Sequence, residues 1–292
     1  MFPGRNQRLK ADLILLLVAL VWGSAFAAQR VAAANMSSFT FNSLRYLLGA
    51  LALLPIAMRA KLRLSPLQDR KSWAGTLLVG LVLFGGAAFQ QLGLQYTTAG
   101  NAGFITGLYV VLVPLVLAVG LRRRPPAVIL VASLLAAAGL FLLSTGGRVR
   151  FSPGDGLELV GASLWTVHVL LIAWLVKRVD VLQISIAQSL VCGLINLALE
   201  LLTARTLFAG IGAAWWTVAY TGLFSVALGY TLQAYGQKYA PPADAAILLS
   251  GEAVFAALFG WLLLGEALTA LQLLGSALML SGMILAQFSY YT

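Results

Sequence analysis

Ten apolar runs, each long enough to cross a lipid bilayer as a helix, fill this chain and leave only short connections between them. A helix needs roughly 20 mainly apolar residues to span the hydrocarbon layer. Such runs lie at about 12–34, 38–59, 73–95, 99–120, 126–144, 155–176, 181–202, 212–234, 243–264 and 268–289. One water-soluble core cannot hide so much apolar surface: 61% of the residues are hydrophobic, 10% are charged and the mean hydropathy is +0.92. Soluble domains carry about 25% charged residues. The chain therefore reads as an all-α integral membrane protein with ten transmembrane helices. A soluble enzyme, a disordered chain and a disulfide-stapled secreted domain do not fit. The single cysteine, Cys192, has no partner within the chain. The first run follows Arg5, Arg8 and Lys10 as a signal peptide would, but it is too long and lacks a clear small-residue cleavage site, so it reads as a retained span.

Basic residues set the orientation. The net charge of +10 would point to nucleic acid in a soluble protein. Here most of it sits in loops, the distribution that topology imposes, and no nucleic-acid partner is expected. If the N-terminus is cytoplasmic, that side holds Arg5, Arg8, Lys10, Arg59, Lys61, Arg63, Arg70, Lys71, Arg122, Arg123, Arg124, Lys177, Arg178 and Lys238. The other side holds only Arg148, Arg150 and Arg205. Such a positive-inside bias places both termini in the cytoplasm of a multi-pass protein of a bacterial cytoplasmic (inner) membrane.

The two halves of the chain resemble each other at an offset of 143 residues. ALVW ending at Trp22 matches ASLW ending at Trp165. Gln90, Gly93 and Tyr96 match Gln233, Gly236 and Tyr239; Asn101 matches Asp244 and Gly139 matches Gly282. Residues 1–146 and 147–292 are therefore expected to be two five-helix repeats. An odd number of spans makes the second copy enter from the opposite face, which is the inverted repeat typical of alternating-access carriers. A duplicated scaffold without transport is the plain alternative, but interior polar residues would be costly in one.

Three stretches carry a family likeness: ALVWGSAF (Ala19–Phe26), NAGFITGLYVVLVPL (Asn101–Leu115) and DAAILLSGEAVFAALFGWLLLGE (Asp244–Glu266). They resemble the drug/metabolite transporter superfamily, EamA type, and the likeness extends over the whole chain with its duplication. The resemblance implies ten helices and secondary transport, often the export (efflux) of amino acids or other small metabolites. One departure is visible. Many members have Glu-Pro in the ninth helix, whereas Glu252 is followed here by Ala253; Pro114 is present in helix 4, with Ala257 as its repeat mate.

Candidate substrate and pathway residues are those whose chemistry is expensive in a membrane. Trp22 and Trp165 lie near mid-span, so they line a cavity or pack against neighbours rather than anchor at the interface. Ser24 lies near Trp22. His168 shares a helical face with Trp165 and is read as cavity-lining, as a proton carrier or as a hydrogen-bonded bundle residue. Asn42 and Arg45 share a face of helix 2 with Gly49. An intramembrane Arg costs roughly 2.5–3.5 kcal/mol even on insertion scales, so Arg45 either faces a cavity, with an anion as its natural partner, or snorkels outward. Arg30 reads as interfacial. Gln90 and Gln233 suit a polar solute or hold helices together. Tyr96 and Tyr239 read as interfacial aromatics. Gly103 and Gly107, with mates Ala246 and Ser250, form a strip for close helix packing. Asp244 reads as a helix cap, and Glu266 as a turn or interfacial residue. Glu252 lies mid-membrane with Tyr109 as its repeat mate, and must be paired, hydrated or neutral. It is the leading candidate for protonation coupled to transport, with Arg45 a possible counter-charge.

One His and one Cys on different helices give no metal-ligand spacing. No nucleophile triad, phosphate-binding loop or cofactor motif is evident, so the chain reads as a carrier without a cofactor and not as an enzyme. The expected partners are a small-molecule substrate, the lipid bilayer and protons as a coupling ion. The rival readings are a non-transporting receptor or structural membrane protein and a membrane-embedded enzyme.

Overall fold

The computed structural model describes residues 5–60, 69–97, 99–122, 125–148, 152–204, 206–264 and 267–288. Lys61, Arg63, Arg123, Arg124, Arg150, Arg205 and Glu266, which figure in the orientation and turn expectations, lie outside the described residues. For Arg5 and Asn101 only the backbone is described.

Among the described residues ten helices are long and apolar enough to span a membrane, and there is no strand. They are α1 (Arg5–Asn35), α2 (Ser38–Arg59), α3 (Arg70–Gly93), α4 (99–120), α5 (Ala127–Thr145), α6 (Pro153–Leu175), α7 (Val181–Thr203), α8 (Ile211–Tyr239), α9 (242–264) and α10 (Ala270–Phe288). Local chemistry sets their ends. Ser37 caps α2 by accepting from the Thr40 N–H, Asp69 caps α3 from Ser72, and Asp180 caps α7 from Leu182 and Gln183; each side chain satisfies an orphan donor of the first turn. Pro153 opens α6, and the Ser152 N–H donates to Asp155 in a capping box. Gly146, at φ 60°, closes α5 in the left-handed region.

The helices pack as an inverted duplication. α2 lies against α7 and α5 against α10, each pairing a helix with its own repeat mate. α1 packs on α8 and α9, and its mate α6 packs on α3 and α4. α3 packs on α7, and α2 on α8. Exchanging the two halves thus reproduces the principal contacts, as a pseudo-two-fold axis requires. Small residues let these pairs close. A Cβ on Gly139 would stand 2.4 Å from the Gly275 carbonyl, and one on Gly282, its repeat mate, 2.6 Å from that of Ala132, so both sides of the α5–α10 seam need bare backbone.

α4 and α9 are broken at corresponding places. α4 consists of Ala99–Gly107, Tyr109–Leu115 and a π-turn Val116–Gly120; α9 consists of Pro242–Leu249 and Glu252–Leu264. At the breaks the Leu108 N–H donates to Ile105 O (3.2 Å) and the Gly251 N–H to Leu248 O (3.2 Å), both tightened i→i−3 bonds at repeat-mate positions. Proline does not cause the break in α9. There Ser250 Oγ donates to Ile247 O at 2.7 Å, and Gly251 follows. α8 carries a π-helical stretch, Thr221–Tyr230.

Candidate functional site

The breaks in α4 and α9 face a central cavity of about 50 Å³. Its wall draws on both halves: Trp22, Phe26 and Gln29 from α1, Arg45 from α2, Gln90 from α3, Thr106 and Tyr109 from α4, Trp165 and Val169 from α6, Ser225, Tyr230 and Gln233 from α8, and Leu249 and Glu252 from α9. Seven of the sequence candidates meet here: Trp22, Arg45, Gln90, Tyr109, Trp165, Gln233 and Glu252.

Tyr230 sits among the aromatic groups. Its ring centroid lies 5.1 Å from that of Trp22, tilted by 57°, and 6.4 Å from that of Trp165, stacked at 15°. Two glycines make room for the indoles. A Cβ on Gly229 would fall 2.5 Å from Trp22 Nε1, and one on Gly86 would fall 3.2 Å from Trp165 Cε2. Gly86 and Gly229 are themselves repeat mates, so each half supplies the space behind the other half's tryptophan. Trp22 Nε1 donates to Ser225 O (3.0 Å), whereas Trp165 Nε1 and Gln233 Oε1 are buried polar atoms without a hydrogen-bond partner.

Arg45 is inward rather than snorkelling, at 3% exposure. Its Nε donates to Asn42 Oδ1 (3.0 Å) and its Nη1 to Gln29 Oε1 (3.0 Å). The guanidinium lies over Phe41 at 4.7 Å and over Tyr46 at 4.8 Å, a cation–π arrangement that stabilises a dehydrated cation. Arg45 and Glu252 line one cavity, yet no ion pair joins them among the described residues. Glu252 Oε1 accepts instead from its repeat mate, the Tyr109 hydroxyl, at 3.3 Å.

Three candidates stand off the wall. Asn42 is wholly buried behind Arg45 and donates to Ala87 O (3.2 Å). Ser24 points to Val21 O and to the Tyr220 hydroxyl at 2.5 Å. His168 is wholly buried; its Nε2 donates to Gln188 Oε1 (2.8 Å) and its ring meets Trp165 and Tyr230 edge-on. Each is held by a neighbour that the spacing along one helix cannot reveal. The helix-cap reading of Asp244 is corrected. Pro241 holds the cap position, and the Asp244 carboxylate takes Arg8 Nη2 at 2.7 Å.

Gln29, Thr106, Ser225 and Tyr230 escaped the sequence reading, because single hydroxyls, amides and rings are common at helix seams. Glu158 escaped it as well, although an acid six residues into an apolar span is a legible signal of the same kind as Glu252.

The two ends of the cavity differ. Toward the N-terminal face the largest apolar cluster, including Leu15, Val18, Val110, Val113 and Leu248, fills the bundle. Beyond it Arg8 Nε lies 3.0 Å from Asp12 Oδ2, and Nη2 reaches Asp244, tying the start of α1 to that of α9. Toward the opposite face a second hollow of about 330 Å³ shares Phe26 and Glu252 with the first. Its wall reaches Arg30, Leu94, Ser144 and Gln272, near the helix ends of that face.

Comparison with known proteins decides the family. The model of the EamA-like transporter family matches residues 9–145 and again residues 152–288. The chain belongs to the EamA-like transporter family. It is therefore a transporter of the drug/metabolite type, built from a duplicated unit. It is 33% identical over 281 residues to an uncharacterized transporter of Archaeoglobus fulgidus, covering 96% of this chain and 86% of that one. It is 28% identical to the uncharacterized transporter YwfM of Bacillus subtilis (94% and 92% covered) and 23% identical to YoaV of the same organism (96% and 98% covered). A solved crystal structure superposes with a TM-score of 0.82 at 18% identity, over 96% of this EamA-like chain and 97% of that one, which shows a shared fold.

Proposed function

We propose that this EamA-like protein is a secondary carrier that moves small zwitterionic or amphipathic metabolites, such as amino acids, by alternating access around the central cavity. The observation that carries the reading is the cavity's composition: one cation, Arg45, and one acid, Glu252, stand among Trp22, Trp165, Tyr230 and the amides of Gln29, Gln90 and Gln233. Arg45 suits a carboxylate, Glu252 an ammonium group, and the rings an apolar body. Trp165 Nε1 and Gln233 Oε1, unpartnered in the wall, offer a donor and an acceptor to a bound solute.

Matching breaks in α4 and α9 support the mechanism, since discontinuous helices at a repeat interface are where carriers hold their solutes. The described form is sealed on the N-terminal face and hollow toward the other. The basic-loop bias supports a bacterial inner membrane with cytoplasmic termini, and on that orientation the hollow faces outward; export is the direction that the family likeness suggests. Protons are the proposed coupling ion. Counterflow of labelled aromatic and aliphatic amino acids in proteoliposomes tests the reading. Exchange that Trp165→Ala weakens is expected; a protein that exchanges none of a broad panel of zwitterions and amphipathic amines would overturn it.

A further inference from the structure

Behind the cavity wall lies a second intramembrane carboxyl. Glu158, on α6 about 8 Å from the start of the helix, is wholly buried between α3 and α4. Its Oε2 accepts from Thr106 Oγ1 (2.9 Å), which in turn accepts from Gln90 Nε2 (3.2 Å). Thr106 and Gln90 line the cavity, and Glu158 does not. Glu158 Oε1 is buried without a hydrogen-bond partner. The carboxyl fits only because residue 93 is glycine: a Cβ there would stand 2.6 Å from Oε1 and 2.9 Å from Cδ.

The repeat offers an internal control for what packing alone would need. The mate of Glu158 is Leu15, packed against Gly236, the mate of Gly93, where a Cβ would fall 2.6 Å from Leu15 Cγ. The mate of Thr106 is Leu249 and that of Gln90 is Gln233. One half thus fills this seam with two leucines that belong to the apolar core. The other half places a carboxyl and a hydroxyl in the same positions. Helix packing does not require the acid. Among the described residues, the groups around Glu158 do not neutralise it either. Asp155 lies one turn earlier on its own helix and is engaged by Ser152 and Thr97. α3 presents the amide of Gln90, α4 the hydroxyl of Thr106 and, further on, the phenol of Tyr109; α8 presents the amide of Gln233 and α9 the carboxyl of Glu252. None of these is a cation, and Arg45 is turned to Asn42 and Gln29. A charged carboxylate in such a place costs several kcal/mol unless paired.

We propose that Glu158 is the proton site of the carrier, loaded from the cavity through Thr106, while Glu252 contacts the solute. The inference rests on the proton-coupled carrier reading above. In the loading step a proton from cavity water joins Thr106 Oγ1, and the hydroxyl's own proton passes to Glu158 Oε2. The hydroxyl is regenerated, one O–H bond forms for each that breaks, and no electron is transferred. The site serves either face of the membrane, because the cavity that feeds it is the one that alternates.

The test uses the full chain in proteoliposomes, comparing wild type with Glu158→Gln and Glu158→Leu, the latter placing the mate's residue at this seam. Both variants should keep solute counterflow, which moves no net proton, and lose accumulation driven by a pH gradient. Thr106→Val keeps the carboxyl and removes the relay; since Thr106 also lines the cavity, the readout is the ratio of gradient-driven accumulation to counterflow, which should fall in Thr106→Val and return in Thr106→Ser. Infrared difference spectra between high and low pH in the Glu252→Gln protein should show a carboxyl band that Glu158→Gln removes. If Glu158→Leu still accumulates solute from a pH gradient, or Glu158→Gln removes no carboxyl band from the spectrum of the Glu252→Gln protein, the proposal is overturned. A wild-type protein without counterflow would instead sink the carrier reading itself.

Discussion

Tyr109 and Glu252 stand 143 residues apart, occupy the same position in the two repeats, and meet in a hydrogen bond of 3.3 Å across the cavity. Each lies just past the break in its own helix, after Leu108 in α4 and after Gly251 in α9. The contact therefore lies close to the pseudo-two-fold axis, where two identical residues would face their own copies. The chain has replaced that symmetry with a donor and an acid. Tyr109→Phe removes the donor and keeps the ring. We expect it to weaken retention of an ammonium-bearing solute modestly, by about 1 kcal/mol for one hydrogen bond, whereas Glu252→Gln should abolish selectivity for the ammonium group. Equilibrium binding of an amino acid and of its deaminated analogue decides this. Equal affinity of the Glu252→Gln protein and wild type for the amine-bearing member would remove Glu252 from the pathway.

The glycines behind the tryptophans give a graded prediction. A methyl group at residue 229 would come within 2.5 Å of Trp22, but one at residue 86 would stay 3.2 Å from Trp165. Gly229→Ala should therefore displace its indole and impair binding more than Gly86→Ala does. Trp22→Ala and Trp165→Ala should each weaken solute binding roughly tenfold, about 1.4 kcal/mol, and Phe at either position should cost less because a ring face remains. Solute-induced change in tryptophan fluorescence, read in the presence and absence of each tryptophan, measures it.

Arg8 and Asp244 lock the N-terminal face at 2.7 Å, and both are nearly buried. Removing one partner of a buried pair costs up to about 3–5 kcal/mol in the state that holds it. Asp244→Asn should shift the population toward the form open at that face. A cysteine replacing Leu248, 2% exposed in the closed form, would then react faster with a soluble thiol reagent in a Cys192→Ser background. Unchanged reactivity would show that the apolar cluster alone closes this end.

Orientation is open to a direct measurement. Cysteines replacing Arg122 and Arg148 flank opposite ends of α5. In intact cells an impermeant thiol reagent should label residue 148 and spare residue 122. The reverse pattern would place both termini outside.

Hydropathy alone determined the ten spans, because a helix in lipid must satisfy its own backbone and so must read as one long apolar run. The shared offset of 143 residues determined the duplication, and an odd number of spans then dictated its inversion. Mid-membrane cost singled out Arg45 and Glu252, and the mated tryptophans came with them. Only the tertiary structure decided which polar groups share a cavity and which serve as supports. Asn42, Ser24 and His168 are as polar as Gln90, yet they are engaged by Ala87, Tyr220 and Gln188, partners that arrive from other helices. Asp244 looked like a cap because its nearest sequence neighbours start a helix, but its carboxylate is claimed by Arg8, 236 residues away. The break in α9 needed no proline, since Ser250 takes up a carbonyl there. Sequence periodicity reports which face of one helix is apolar. The chemistry of a cavity depends on how seven helices from two repeats aim their remaining polar groups at one another, and that is fixed only when they pack.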